Sequence, residues 1–444
     1  MFGYYLRLAT KSFARTPALT ALMVLAIAFG IGACVVMVTI YHVMSGNPIW
    51  WKDDRLYAVT LDTWDVNEPA DKAHPQFPPM QLTYRDVSYL RDTSLPGRKA
   101  LIYMARGVLS GGLPTATPIS VETRFATADF FPMFEVPFLY GGAWRAPEDR
   151  GSAPVIVLSR DSNDRLFGGA NSVGKTVRWN DQEFRILGVL DHWEPQPKFY
   201  DLNRGAYNVP EGAFIPLQWG VDHQIKSAGG RCWKPEKLNS YQAILGSECV
   251  WLQAWVELPG LAERARMQSL LDTYTAEQRK AGRFERPRNN RLTRVSQWLE
   301  DNQVVHGDNR TLLGLAFAFL AVCLLNTVGV LLAKFLNRAP SVGVRRALGA
   351  TRGEIVAQHL VEVGVITAAG ALLGLAFGTL GLWGLRALYT LDAATRGGFR
   401  EVSHFDMASV YAAVVLAALS ALVAGLYPAW RIGRIAPASY LKSL

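Results

Sequence analysis

The residues that do chemistry are sparse and badly spaced. Seven histidines are scattered over 444 residues, at His42, His74, His192, His223, His306, His359 and His404. None forms an H-E-x-x-H or comparable spacing that would turn two imidazoles toward one metal ion. No G-x-S-x-G elbow occurs, which removes the hydrolase arrangement of a serine exposed on a strand-to-helix turn. Acidic and basic side chains of the central region are interspersed, as on a solvated surface. The expectation is a chain with no catalytic residue, no metal and no cofactor of its own.

Cysteine is equally scarce. Four in the whole chain exclude a disulfide-dense scaffold and a cysteine-rich zinc fold. Cys34 and Cys323 fall inside apolar runs, where a thiol behaves as a small hydrophobe. Cys232 and Cys249 remain. In an oxidising compartment they form a candidate disulfide, the alternative being two separate buried thiols.

Four stretches lack charged side chains altogether: 18–44, 311–333, 363–385 and 407–430. At about 1.5 Å per helical residue each is long enough to cross a hydrocarbon core of about 30 Å. The first run is too long for a cleaved leader and no small-residue cleavage pattern follows it, so it reads as a retained helix.

A pI near 9.4 suggests nucleic acid until the charges are located. Arg7, Lys11 and Arg15, then Lys334, Arg338, Arg345, Arg346 and Arg352, then Arg431, Arg434 and Lys442 stand against Glu354 alone in three short segments beside the spans. Those segments carry an excess of ten positive charges in a chain of net charge +9, so everything else carries about −1. No basic groove with interleaved aromatics is left, which excludes nucleic acid. The positive-inside rule puts the three segments, and with them both termini, in the cytoplasm, and the large insert outside.

The fold expected is an α+β membrane protein with four transmembrane helices in a 1+3 arrangement. A cytoplasmic amphipathic segment covers 1–17, the first span 18–44, a mixed α/β domain 45–310 and the second span 311–333. A cytoplasmic loop follows at 334–359, the third span at 360–385, a short outer loop at 386–406, the fourth span at 407–430 and a cytoplasmic tail at 431–444. Within the insert, 80–91 and 261–280 read as helices, and 155–158, 175–179, 184–189 and 250–258 as strands. The insert is long enough for one large or two small domains. Residues 195–212, rich in Pro, Gly and Asn, mark a boundary or a long connection.

Residues 169–176, Gly-Ala-Asn-Ser-Val-Gly-Lys-Thr, fit the phosphate-loop pattern letter for letter. Such a loop needs a strand before it and a helix after it. A helix-like stretch precedes this one and an alternating strand follows, so a turn into a hairpin is expected. The echo of an ABC-ATPase signature at Leu109-Ser110-Gly111-Gly112 comes before that loop rather than after it, and is discounted likewise.

The densest signal lies at 337–355. Pro340 and Ser341 open a short amphipathic helix that closes at Gly349, and Thr351 caps a second helix running into the third span. Val342, Val344, Ala347 and Leu348 are available to dock on a soluble partner, with Arg345 and Arg346 beside them. A solvated basic loop that only sets topology is the alternative. Gly370, Gly374 and Gly378 repeat every four residues and suit close helix packing, against a neighbour the sequence does not name. Glu362, the acidic residue nearest a span interior, reads as a boundary residue rather than an ion pathway.

The run Val-Arg-Arg-Ala-Leu-Gly-Ala-Thr-Arg-Gly-Glu-Ile at 344–355 resembles the cytoplasmic loop of MacB-type ABC transporter permeases, the family of lipoprotein-release and FtsX-like membrane subunits. Residues 6–32, 125–131, 155–191 and 427–431 resemble its other parts. The resemblance implies that Ser341, Val342, Val344, Arg345, Arg346, Ala347, Leu348 and Gly349 couple to a separate ABC ATPase dimer, which holds ATP and Mg. It further implies a second permease chain, identical or homologous, and helical stalks continuing spans one and two, the second at 291–309 where Leu292, Val295 and Leu299 recur at helical spacing. The function implied is export of a hydrophobic or peptide-like substrate from the inner membrane of a Gram-negative bacterium by mechanotransmission, with a periplasmic adaptor and outer-membrane channel as further partners. The alternative is a non-transporting mechanotransmitter that regulates an extracytoplasmic enzyme or envelope signalling.

Overall fold

The computed structural model describes residues 2–94, 97–304, 307–337, 339–391 and 407–433. The outer loop expected at 386–406 falls largely outside them, as do Arg338, His306, His404 and the tail from 434 with Arg434 and Lys442. The chain divides into two compact units, Gly46–Val304 and Met1–Ser45 with Val305–Leu444.

The second of these begins with α1 (Phe2–Arg15) and α2 (Pro17–Ser45), after which the inserted domain intervenes. That domain is built on one sheet. Its strands are β1 (Leu56–Thr60), β2 (Arg98–Ser110), β3 (Ile119–Ala126), β4 (Phe138–Gly141), β5 (Val155–Leu158), β6 (Thr176–Trp179), β7 (Gln182–Leu190), β8 (Ala213–Pro216), β9 (Gln253–Glu257) and β10 (Arg291–Arg294). They lie in the order β10-β1-β9-β2-β3-β8-β5-β7-β4, with β6 paired to β2 and β7. Two pairs, β3 with β8 and β5 with β7, are parallel and the others antiparallel.

Both faces of this sheet are covered, because side chains alternate along a strand. Tyr57, Val59, Leu101 and Tyr103 enter one core with Trp179 and Trp219, while Leu56, Ala58, Ala100 and Ile102 enter the other with Phe130, Phe131 and Trp255. The helices between the strands are α3 (Tyr84–Asp92), α4 (Phe130–Met133), α5 (Ala146–Arg150), α6 (Arg160–Phe167), α7 (Leu217–Asp222), α8 (Tyr241–Gly246), α9 (Leu261–Lys280) and α10 (Val295–Asp301). The helix read at 80–91 starts only at Tyr84, because Leu82 pairs with Leu252 and Thr83 forms a capping box with Asp86.

Residues 195–212 are a connection inside the one domain, not a boundary. They join β7 to β8 and are pinned by a buried ionic cluster: Arg124 on β3 reaches Asp201 at 2.6 Å and also Glu211, Lys198 lies 3.2 Å from Glu211, and the Tyr200 hydroxyl donates to Glu211 at 2.9 Å. Burial alone would raise the Glu211 carboxyl; Lys198 and Arg124 outweigh it and hold the group at about 2.

Cys232 and Cys249 are joined, S–S 1.98 Å. Beside them Arg231 and Val250 exchange both backbone hydrogen bonds at 2.9 Å. The phosphate-loop lookalike is followed by β6, not by a helix. Asn163 donates to the Ala170 carbonyl and accepts from Ser172, and Lys175 rests over the Phe167 ring.

The stalk expected at 291–309 is not a continuous helix. Residues 291–294 form β10 on the edge of β1, α10 turns after them, and a new helix starts at Gly307. Leu292, Val295 and Leu299 fit a helical spacing, but Leu292 is buried as a strand residue while Val295 and Leu299 are buried from α10. At the other end α2 stops at Ser45, so no stalk continues it.

The membrane unit resumes with α11 (Gly307–Leu336), α12 (Ala339–Ala347), α13 (Arg352–Leu391) and α14 (Met407–Gly433). Four helices among the described residues are long and apolar enough to cross a membrane: Pro17–His42, Thr311–Leu336, Arg352–Leu385 and Tyr411–Arg431. Met23, Ile27, Ile31 and Val35 line one face of α2 against Leu320 and Leu324 of α11 and Ile366 of α13. The glycine repeat of α13 meets α2. A methyl group added to Gly374 would lie 2.9 Å from the Ala28 carbonyl oxygen, and one added to Gly370 would lie 2.8 Å from Ile27. Gly378, one turn on, is buried as well.

Candidate functional site

Between α11 and α13 the chain makes a tight helix-turn-helix. The nine residues of α12 are too few to be stable as a free helix, so packing must hold it. Val342 supplies that on the inner side, buried in the same core as Phe335, Ile355 and Val363. Gly349 ends the element with φ of +105°, a left-handed position that a side chain would strain. Thr351 and Glu354 then exchange a backbone and side-chain hydrogen bond each, 2.9 and 3.2 Å, and start α13 with a capping box.

The residues expected to dock divide between two faces. Ser341, Val344 and Leu348 lie at i, i+3 and i+7 on the outer face; Val344 is 43% and Leu348 83% exposed. Arg345 points the other way. Its guanidinium donates to Gln358 on α13 at 2.8 Å and to the Tyr4 hydroxyl on α1 at 3.3 Å. Arg346 is half-buried, and Ala347 is the last residue of α12.

Directly inside, α1, α11 and α13 converge on a second buried ionic cluster. Glu362 is buried, accepts a hydrogen bond from the Ser12 hydroxyl and lies 2.8 Å from Lys334 Nζ. His359 Nδ1 is 3.8 Å from the same carboxylate, with its ring centroid 4.1 Å from that of Phe335. Lys334 also sits 5.3 Å from the Phe13 ring centroid. Ala9 and Ser12 form the buried stripe of α1, and Arg7, Lys11 and Arg15 face outward.

Ser12, Lys334, His359, Tyr4 and Gln358 were not legible as site residues. One signal was present: an acid and a base in otherwise apolar helical runs, at Glu362 and Lys334, each demand a partner. Among the described residues no group of three or more His, Cys, Asp or Glu side chains is placed to hold a metal ion.

Four candidate spans, a large mixed α/β domain inserted after the first, and a short helix locked to the third define a multi-span membrane protein whose third helix extends beyond its span. Residues 20–245 match the MacB-like periplasmic core domain, and residues 313–437 the FtsX-like permease C-terminal domain. The chain belongs to the MacB-type, FtsX-like family of ABC transporter permeases.

Two relatives are exporters by name. The macrolide export ATP-binding/permease protein MacB of Nitrobacter winogradskyi is 22% identical over 97% of this chain and 59% of its own length. The pyoverdine export ATP-binding/permease protein PvdT of Pseudomonas aeruginosa is 22% identical over 71% of this chain and 41% of its own length. This chain spans about half the length of the two. The periplasmic region of MacB from Actinobacillus actinomycetemcomitans superposes with a TM-score of 0.38 at 12% identity, over 58% of this chain and 97% of that one.

Proposed function

We propose that this chain is the permease of an ABC exporter, and that α12 is the element by which it docks on a separate ATPase chain carrying ATP and Mg. The observation that carries this reading is the division of α12 into two faces. Val342 and Arg345 bind it to the membrane unit, while Val344 and Leu348 are left bare, with nothing among the described residues to cover them. An apolar i, i+4 pair formed by Val344 and by Leu348, the residue that follows α12 and donates its N–H to the Val344 carbonyl, suits a hydrophobic groove on a soluble partner.

In this reading the membrane is the inner membrane, the inserted domain is periplasmic, and α12 and both termini are cytoplasmic, which the basic residues flanking the spans support. This chain performs no chemistry. ATP-driven closure of an ATPase dimer moves α12, and Val342 and the Arg345–Gln358 hydrogen bond pass that motion to α13. Two permease chains, identical or related, act together and drive a hydrophobic or peptide-like substrate outward from the periplasmic side. The export names of the relatives support this direction; an adaptor and an outer-membrane channel would complete the route.

Affinity purification of the chain from native membranes tests the docking. An ABC ATPase is expected to co-purify, and Leu348→Asp to weaken its retention at least tenfold, about 1.4 kcal/mol, since a charge replaces an anchoring side chain. Retention of the ATPase undiminished by Leu348→Asp would remove α12 from the interface.

A further inference from the structure

Granting the docking reading above, we propose that Glu362 is a positioning residue: it binds α1 and the end of α11 to α13, so that these three helices follow α12 as one body when the ATPase moves it.

The geometry is specific. One carboxylate oxygen, Oε1, takes both the Ser12 hydroxyl from α1 and Lys334 Nζ from α11, the latter at 2.8 Å. The other, Oε2, faces His359 one turn earlier on α13 at 3.8 Å. Three helices, one of them from the far N-terminal end of the chain, therefore share one side chain, itself 1% exposed. Arg345 joins the same three-way junction from outside, since it reaches Gln358 on α13 and Tyr4 on α1.

Stability alone does not explain such a cluster. A buried ion pair commonly contributes no more than well-packed apolar side chains of similar volume, because desolvation offsets the attraction. What it supplies is direction. Apolar side chains slide past one another, whereas a carboxylate held by a hydroxyl and an ammonium fixes the relative register of the helices that bear them. Here the pair lies at the α12 ends of the second and third spans, where a slipping contact would absorb the motion.

The test uses the full chain in nanodiscs with the ATPase that co-purifies, and Asp181→Cys carrying a fluorescent label on the exposed β6–β7 turn. The signal read is the change in label emission on adding ATP and Mg. Lys334→Met with Glu362→Met keeps volume and removes both charges together; the exchanged pair, Lys334→Glu with Glu362→Lys, restores them in reverse.

The Met pair is expected to retain the ATPase as the unaltered chain does, yet to lose the ATP-dependent signal, and the exchanged pair to regain it. A full signal in the Met pair overturns the proposal. Loss of the ATPase from the Met pair also overturns it, because the cluster would then belong to docking. If the Met pair does not reach the membrane, Ser12→Ala is read in its place: a reduced signal with ATPase retained supports the shared-carboxylate role, an unchanged one overturns it. Absence of any ATPase on the unaltered chain would instead sink the docking reading itself.

Discussion

At the residue scale, buried charge organises both units. Glu211 fixes the β7–β8 connection, and its sign of pH dependence follows from the depressed carboxyl. The stabilisation it gives is fully present above the ordinary carboxylate value of 4.5 and is lost as pH falls from there through about 2. A melt of the solubilised chain should accordingly weaken across that window, and Glu211→Gln should be weaker than the unaltered chain at neutral pH by about 3–5 kcal/mol, because Arg124 and Lys198 lose a buried partner. Equal stability of the two at pH 7 would contradict that role. These partners were hidden in the sequence. Lys198 and Glu211 share the stretch 195–212 but Arg124 lies far from it on β3, and only the sheet order, which puts β8 beside β3, brings them together. Arg345 was hidden differently: it reads as one of two adjacent docking cations, and only the helix phase shows that it turns inward.

At the element scale, what was legible is what has few physical alternatives. A run of more than twenty uncharged residues is a span or little else, and Gly349 followed by Thr351 punctuates two helices wherever it occurs. Short apolar spacings are ambiguous. Residues 291–301 fit a helix by period but fold as an edge strand and a separate helix, since pairing with β1 satisfies the backbone of 291–294. The partner of the α13 glycines also needed the structure, because small residues reveal that a helix is approached closely without naming what approaches.

That contact yields an internal comparison. Gly374→Ala places a methyl 2.9 Å from the Ala28 carbonyl oxygen and must push α2 away, whereas Gly364→Ala, two to three turns earlier on the same helix, meets nothing within 4 Å. Thermal melts of the solubilised chain should show Gly374→Ala destabilised by about 1–3 kcal/mol. Gly364→Ala should be neutral or stabilised by up to about 1 kcal/mol from helix propensity. Equal melting of the two would contradict the close approach of α2 and α13.

At the scale of the whole molecule, the two units are built differently. The inserted domain has two packed cores and a braced connection. The membrane unit carries a short helix, α12, whose outer apolar face its own chain leaves bare among the described residues. The domain plan was readable because charge and hydropathy partition it; which apolar residues of this loop face outward was not, because Val342, Val344 and Leu348 look alike until burial separates them.

The measurement that bears most directly on the docking of α12 is photo-crosslinking in intact cells, with a photoreactive amino acid placed in turn at Leu348 and at Arg345. Capture of an ABC ATPase is expected from position 348 and little or none from position 345, which turns toward Gln358 and Tyr4. Capture from 345 with none from 348 would mean that α12 presents its other face, and capture of no ATPase from either position would contradict the claim that this helix is where the chain meets its motor.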